Sequence, residues 1–496
     1  MHFLGIDIGS SSVKLSVLDG ANGRALASCK YPQIEMPIDS PQASWAEQNP
    51  ETWWDCVKQG CQILFGEKGI DPQSIEAIGI TYQMHGLVLV DEQQNVLRPA
   101  IIWCDSRAVE IGNNALNELG DDYCFEHLLN SPGNFTASKL RWVQQNEPEI
   151  YQRIAKIMLP GDYIAMKLSG RVTTTASGLS EGVLWDYKDR QPAQGLLQHW
   201  DMDPSLLPDQ VPSIGTQCEV DERGAAELGL RKGIQISYRS GDQPNNAFTM
   251  NVLEPGEVAA NAGTSGVVYA VTDKALADRN NRVNTFVHVT DTPKEPRNGV
   301  LMCVNGTGRS FSWLRQLLSM EGQHEVDYQY LNHLAQSKPI GSDGLTFVPF
   351  GNGAERILQN RNVGAHLSNI DLNRHSLGHI VRATQEGIVF ALNSGFDVLK
   401  SLGGECNVVR APRDNMFLSD IFCQAFANTT QTTVELYDTD SAEGAARGAA
   451  LGCGFFSSFK QTFAGLERCN VIEPTAALVD QYQNAYQQWQ KALPYA

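Results

Sequence analysis

At 496 residues the chain is too long for one ordinary hydrophobic core, so two large domains are expected. Its 42% apolar and 19% charged residues fit a globular protein, and a net charge of −18 argues against a broad nucleic-acid surface and against adsorption to an anionic membrane. The 11 cysteines, an odd number with no C-x-x-C pair, read as reduced thiols rather than a disulfide framework or a zinc site. There is no signal-like N-terminus and no apolar run of membrane-span length, so the expectation is a soluble cytoplasmic protein.

The chain opens on a strand, Phe3-Leu4-Gly5-Ile6, which Asp7 interrupts; Gly9-Ser10-Ser11-Ser12 then turns it back through Val13–Val17 as a hairpin. A turn that small, carrying hydroxyls, lets backbone N–H groups approach an anion closely. A carboxylate in an apolar strand is costly unless it is paired or near a cation. Asp7 therefore reads as a metal-side residue, acting on Mg²⁺ through water, or else as a strand-end cap. Lys14, two residues past the turn, is within reach of a phosphate, as many surface lysines are. A helix is expected from Glu51 to Phe65, with Asn49 or Asp71 before proline as helix starts.

Strands follow at Ile75–Thr81, Leu87–Asp91 and Ala100–Trp103. Two polar clusters sit at strand ends, where open α/β sheets place ligands: Gln83-Met84-His85-Gly86 and Trp103-Cys104-Asp105-Ser106-Arg107. An amide, an imidazole and a soft apolar face together suit a polyol. A lone strand-end histidine also serves structural roles, and Asp105 with Arg107 also reads as a loop salt bridge. Residues 108–158 read as mainly helical. Ile234–Tyr238 then restarts the sheet and ends on Ser240-Gly241-Asp242, a carboxylate on a small-residue turn, followed by the polar Gln243–Asn246. A carboxylate just upstream of a phosphate-sized cradle is the layout phosphoryl transfer needs, so Asp242 reads as a general base or as an ordinary turn aspartate. The domain boundary falls near Asn246–Pro255, dividing the chain into 1–247 and 248–496.

The second half repeats the plan. Val258–Ala262 meets the turn Gly263-Thr264-Ser265-Gly266 and returns as Val267–Val271. Laid over Asp7–Val17, the segment Asn261–Val271 matches at Gly, Ser and two Val positions, and differs in having Asn261 where the first copy has Asp7. Two such hairpins suggest two related halves facing one nucleotide. Helices are expected at Ser310–Met320, Ser376–Leu402 and Met416–Asn428, strands at Asn407–Arg410 and Thr433–Tyr437, and an Ala/Gly-rich helix suited to close packing at Glu443–Cys453. No G-x-x-x-x-G-K-[ST] occurs, and no G-x-G-x-x-G follows a strand, which argues against a nicotinamide dehydrogenase.

These pieces, in this order, are similar to the FGGY family of carbohydrate kinases and within it resemble the xylulokinases most. The likeness spans nearly the whole chain and rests on Gly5–Lys14, Trp45–Pro50, Gln83–Gly86, Ile102–Arg107, Phe135–Leu140, Gly241–Asn246, Ala262–Gly266 and Glu443–Gly448. The resemblance implies an α/β fold of two actin-like ATPase (ribonuclease H-like) domains, each on a five-stranded mixed sheet, with a cleft between them. Residues 1–247 would form the sugar-binding and catalytic domain and 248–496 the nucleotide-binding domain. It implies ATP with Mg²⁺ and transfer of the γ-phosphoryl group to a sugar hydroxyl, with D-xylulose to D-xylulose 5-phosphate as the expected reaction. Asp242 matches the catalytic base and Asp7 the carboxylate near the metal, with both on the metal side; Met84 and His85 match the substrate pair. Gln83, Trp103, Asp105 and Gln243 complete the expected sugar site. Gly9, Ser10, Ser11, Ser12 and Lys14 face Gly263, Thr264, Ser265 and Gly266 in the expected phosphate site, with Arg410, Pro412 and Asn415 near the adenosine. Two departures from the family pattern stand out: Pro412 occupies a position where glycine is expected, and the loop Phe350–Arg356 keeps Glu355-Arg356 but lacks the usual proline. The open alternatives are another ketose or polyol as acceptor, or a nucleotide-binding sugar sensor on the same fold. The expected partners are a small-molecule sugar and ATP, not nucleic acid or membrane, and a homodimer is kept open as the assembly.

Overall fold

The computed structural model describes residues 1–319 and 326–493, so Met320, the expected end of one helix, lies outside the described residues. The chain divides into two compact units. The first comprises Met1–Asn251, Thr285–Asn298 and Thr439–Leu466; the second comprises Val252–Asn284, Gly299–Asp438 and Glu467–Ala496. A single cut at 247/248 follows the chain order but leaves out two returns, one of them the Ala/Gly-rich helix.

In the first unit, β1 (His2–Ile8), β2 (Val13–Asp19), β3 (Arg24–Tyr31), β4 (Ile75–Tyr82), β5 (Ile214–Glu219) and β6 (Gln235–Gly241) form one mixed sheet in the order β5-β6-β4-β1-β2-β3. It has six strands where the family likeness implied five. Strands β1, β4 and β6 are parallel and adjacent, and β2, β3 and β5 run antiparallel to their neighbours. The register aligns Asp7 with Thr81 and Thr81 with Ser240, so the three parallel strands end level. Helix Pro50–Gln62 starts at Asn49, whose side chain accepts from the Glu51 N–H, a cap that contributes about 1 kcal/mol. It buries Trp53, Trp54 and Val57 in the core formed by Leu4, Ile6, Leu15 and Val17.

The helix Ser441–Gly452 lies directly on this sheet. A Cβ added to Gly5 would come within 1.8 Å of the Ala442 carbonyl oxygen, and one added to Gly79 within 2.0 Å of that of Ala445. Backbone meets backbone at both points, which explains glycine on the strands and Ala/Gly on the helix.

The second unit repeats this order. Six strands of its seven-stranded sheet, β7 (Glu257–Ala262), β8 (Gly266–Thr272), β9 (Asn298–Val304), β10 (Val408–Pro412), β11 (Thr433–Asp438) and β12 (Glu467–Ile472), run β9-β8-β7-β10-β11-β12. An antiparallel hairpin is followed by two parallel neighbours and an antiparallel edge, as in the first sheet. The long helix Leu377–Ser401 packs Ile388, Val389, Leu392 and Phe396 against Val258, Val268 and Val409. Among the described residues no helix is long and apolar enough to cross a membrane.

Candidate active site

Asp242 does not sit on a turn. Gly241 closes β6 and Asp242 is the first residue of helix Asp242–Thr249, so the polar Gln243–Asn246 segment is itself helical. The carboxylate therefore stands at the C-terminal end of a parallel strand, in line with Asp7 near the end of β1 and with Gln83-Met84-His85 just past the end of β4. A Cβ on Gly241 would lie 2.2 Å from Glu181 Oε2 and 2.7 Å from Met84 Cγ, so glycine lets these two side chains close up beneath the helix start.

Burial pushes the Asp242 carboxyl up to about 7, and the charge of Asp7 adds to that rise against the opposing hydrogen bonds from Gln243. Burial also raises Asp7, while the Ser441 hydroxyl that donates to it and the nearby Lys14 act in the opposite direction. A short relay leads from Tyr238 to Asp7. Tyr238 Oη donates to Asn245 Oδ1 (3.0 Å), Asn245 Nδ2 donates to the Ser441 carbonyl (2.9 Å), and Ser441 Oγ donates to Asp7. Two coupled carboxylates whose charged forms are disfavoured by burial, presenting only oxygen donors, make a set that suits a hard divalent cation such as Mg²⁺. Ser441 carries no sequence signal that would have linked it to Asp7.

Gln83 and Met84 are buried, and His85 is half-buried. Gln83 Nε2 donates to Gln48 Oε1 (3.3 Å), and His85 Nδ1 donates to the Glu181 carbonyl (2.8 Å), which fixes a proton on that nitrogen. Gln83 Oε1 and Glu181 Oε1 are buried with no hydrogen-bond partner among the described residues. Glu181, which sequence reasoning missed, is held well above the usual carboxylate range by burial and by the neighbouring Asp242 and Asp162. Trp103 is 51% exposed, and its Nε1 donates to Ser10 Oγ at 3.4 Å.

Asp105 is different from what its strand-end position led us to expect. It is fully buried, and its oxygens accept from the Ala46 N–H (2.6 Å) and from Arg107 (2.7–3.0 Å). The Arg107 guanidinium stacks 3.8 Å from the centre of the Trp45 ring. The carboxylate is thus taken up by the protein, and the salt-bridge reading describes it.

Both expected phosphate turns are hairpin turns. In the first, the carbonyls of Ser10, Ser11 and Ser12 accept from Gln48 Nε2 (2.7 Å), the Met36 N–H (2.8 Å) and the Gly9 N–H (3.0 Å). In the second, the carbonyls of Gly263 and Thr264 accept from the Gly308 and Arg309 N–H groups (2.8 and 3.1 Å) at the start of helix Thr307–Leu318. The bonds to each turn are made mainly to carbonyl oxygens, an arrangement that leaves backbone N–H groups to an anion. Lys14 is exposed on β2, in register with Asp7.

Gly263 and Thr264 also line a cavity of about 420 Å³ in the second unit, together with Arg309, Phe311, Tyr328, Asn332 and Asn415. Tyr328 stacks on Phe311 with ring centres 5.4 Å apart. Of the three residues expected around an adenosine, only Asn415 lines this cavity. Arg410 is engaged by Glu257 and Glu435 (2.9 Å each) on the flanking strands, and Pro412 ends β10 opposite Tyr437. Tyr328, Phe311 and Asn332 escaped sequence reasoning, because nothing in that helical stretch separates cavity residues from core.

The FGGY carbohydrate-kinase N-terminal domain matches residues 2–249, and the C-terminal domain of the same family matches residues 258–455. A protein named xylulose kinase from Escherichia coli (strain K12) is 30% identical over 407 residues, covering 81% of this chain and 79% of its own. The ligand-bound xylulose kinase of Lactobacillus acidophilus is 22% identical with a TM-score of 0.89 over 99% of this chain and 97% of its own. The Plasmodium falciparum glycerol kinase with ADP is 20% identical with a TM-score of 0.87 over 100% and 98%. With two family domains matching in order along a chain built as two mixed-sheet α/β units of actin-like ATPase fold, the protein belongs to the FGGY family of carbohydrate kinases.

Proposed function

We propose that this ATP-using carbohydrate kinase phosphorylates a ketopentose, converting D-xylulose to D-xylulose 5-phosphate. The observation that carries the reading is the strand-end arrangement of Asp242 beside Gln83 and Met84, with two buried, unpartnered oxygens next to it. Asp242 accepts the proton of the primary hydroxyl as its oxygen attacks the γ-phosphorus, and the bond to the ADP oxygen breaks. Gln83 Oε1 accepts from a sugar hydroxyl, His85 and Gln243 contact others, and Met84 with the exposed Trp103 meets the C–H face. In the second unit the backbone of Gly263–Gly266 binds phosphate and the cavity bearing Asn415 and Tyr328 takes the adenosine, and in the first unit the backbone of Gly9–Ser12 is the phosphate-binding turn. Asp7, through water, and Asp242 are the residues that would hold Mg²⁺, which when bound offsets negative charge on the phosphates. On this reading residues 1–247 serve the sugar and 248–496 the nucleotide, and the protein works in the cytoplasm, consistent with 11 free cysteines. Pro412 lies outside the cavity lining and so does not count against nucleotide binding.

The acceptor is supported by the xylulose kinase of E. coli, while the similarity to a glycerol kinase keeps other polyols in the test. ADP release is measured with D-xylulose, L-ribulose, L-xylulose, glycerol and D-arabitol. The expected kcat/KM for D-xylulose exceeds the others by at least about tenfold, a margin equivalent to about 1.4 kcal/mol of transition-state discrimination. A better acceptor in the panel replaces D-xylulose in the proposal, and no turnover with any of them favours a sensor. Asp242→Asn is expected to lower kcat by roughly 10²–10⁴-fold, and equal transfer by the variant would remove Asp242 as the base.

A further inference from the structure

The proposed function assigns the sugar to the end of β4, and the backbone there is held in an uncommon state. His85 has φ of +61°, in the left-handed region that a residue with a Cβ seldom adopts. Three hydrogen bonds hold the segment in place. Lys139 Nζ donates to the His85 carbonyl (2.8 Å), Thr136 Oγ1 donates to the Gly86 carbonyl (3.3 Å), and the His85 ring donates to the Glu181 carbonyl (2.8 Å). The same Lys139 amine also donates to the carbonyl of Ile102 (3.0 Å), the residue before Trp103.

Lys139 is fully buried on helix Thr136–Asn146, among Ala137, Leu140 and Val143. An amine placed there is costly unless its donors are satisfied. Its two carbonyl partners belong to two separate strand ends, and each strand end carries residues assigned to the sugar. Burial lowers its pKa to about 7, against the opposing charge of Asp105. The neutral amine still has two N–H groups, so both bonds survive loss of the proton.

We propose that Lys139 is a positioning residue for the sugar, a role that rests on the sugar site proposed above. A single amine fixes the left-handed turn Gln83–Gly86 relative to the strand end Ile102-Trp103, so that Met84, His85 and Trp103 meet the substrate as one preset unit. Lys139 does not touch the sugar; it acts through the backbone that carries those three side chains.

Lys139→Met keeps most of the apolar stem and removes the amine that makes both bonds. Thr136→Val is isosteric and removes the weaker, neighbouring bond. Steady-state kinetics with the preferred sugar and ATP varied separately distinguish positioning from general damage. Lys139→Met is expected to raise the sugar KM by at least about tenfold, and Thr136→Val by roughly two- to fivefold, in keeping with the loss of charged and neutral hydrogen bonds respectively. In both variants the ATP KM should stay within about twofold of wild type. If Lys139→Met does not fold, Thr136→Val alone carries the test. A sugar KM unchanged in every folded variant, or sugar and ATP KM rising together, overturns the positioning role. Absence of sugar turnover in the wild type overturns this role and the proposed function together, whereas wild-type turnover with an unmoved sugar KM overturns this role alone.

Discussion

The two hairpins share a glycine-and-hydroxyl turn and antiparallel pairing, but they differ in the cross-strand pair that flanks the turn. On the first, Asp7 stands in register with Lys14; on the second, Asn261 stands in register with Val267. Asp7 receives a proton donor from a helix more than four hundred residues away in sequence, the Ser441 hydroxyl, and its charge raises Asp242. Asn261 turns inward instead, and its Oδ1 accepts from the Gly263 N–H at 2.9 Å, bracing its own turn. One scaffold thus serves two purposes. The first presents a charged cross-strand pair, Asp7 with Lys14; the second carries a neutral amide that braces its own turn. Of the two turns, only the first carries a carboxylate, Asp7, near the end of its incoming strand.

Exchanging these residues tests the comparison directly. Asp7→Asn gives the first turn the second turn's residue, and kcat should fall about 10–100-fold, the range found when a group acting on a metal through its outer shell is lost. A variant with wild-type kcat at limiting Mg²⁺ would erase the distinction between the hairpins. The reciprocal Asn261→Asp keeps an acceptor for the Gly263 N–H but sets a like charge beside the phosphates. The ATP KM should rise about tenfold with the sugar KM unmoved, corresponding to about 1.4 kcal/mol of repulsion at the bound nucleotide.

The coupling of Asp7 to Asp242 is visible in pH dependence. The proposed role of Asp242 as base requires it deprotonated, so on that proposal kcat/KM for the sugar should climb as pH rises through about 7. Asp7→Asn removes one cause of that high value, and the limb of its residual activity should move to lower pH. A limb that stays in place would show that the two acids are not coupled. The sign for stability is opposite to that for activity. A carboxyl raised on folding contributes stability below the ordinary carboxylate range and loses it as pH rises through about 7. Asp242→Asn should therefore raise Tm at pH 8 by a few degrees, at about 2–4 °C per kcal/mol, while abolishing most activity. Lys14→Val, which makes the first hairpin's cross-strand pair resemble the second's, should change the ATP KM by no more than about threefold, because the charge of an exposed lysine is screened by solvent.

Much of this was legible in the residues. Short glycine turns between β-branched runs announce both hairpins, and polar residues after apolar strands mark the ends of β1, β4 and β6. What was hidden is which of those polar groups the protein itself takes up. Asp105 and Asp242 look alike in sequence, each a carboxylate at a strand end, but one accepts from the Ala46 N–H and Arg107 and the other starts a helix. Arg410 looked free for a nucleotide because its partners, Glu257 and Glu435, lie on strands far from it in sequence. Glu181, Lys139 and Ser441 enter the site through contacts across long sequence separations, and local pattern carries no trace of these. The small-residue composition of Glu443–Cys453 promised close packing but could not say against what.

That last helix has a consequence for how the protein is made. The strands β1 and β4 emerge early in translation, yet the backbone that seats on Gly5 and Gly79 is not synthesised until residues 442–446. The first unit's sheet therefore waits, with one face uncovered, while the entire second sheet except β12 is translated. A chain stopped at residue 438 should expose that face, bind the hydrophobic dye ANS and aggregate, and a peptide spanning 439–466 added in trans should suppress both. The first unit's sheet is thus closed by a helix that follows most of the second unit's strands in the chain.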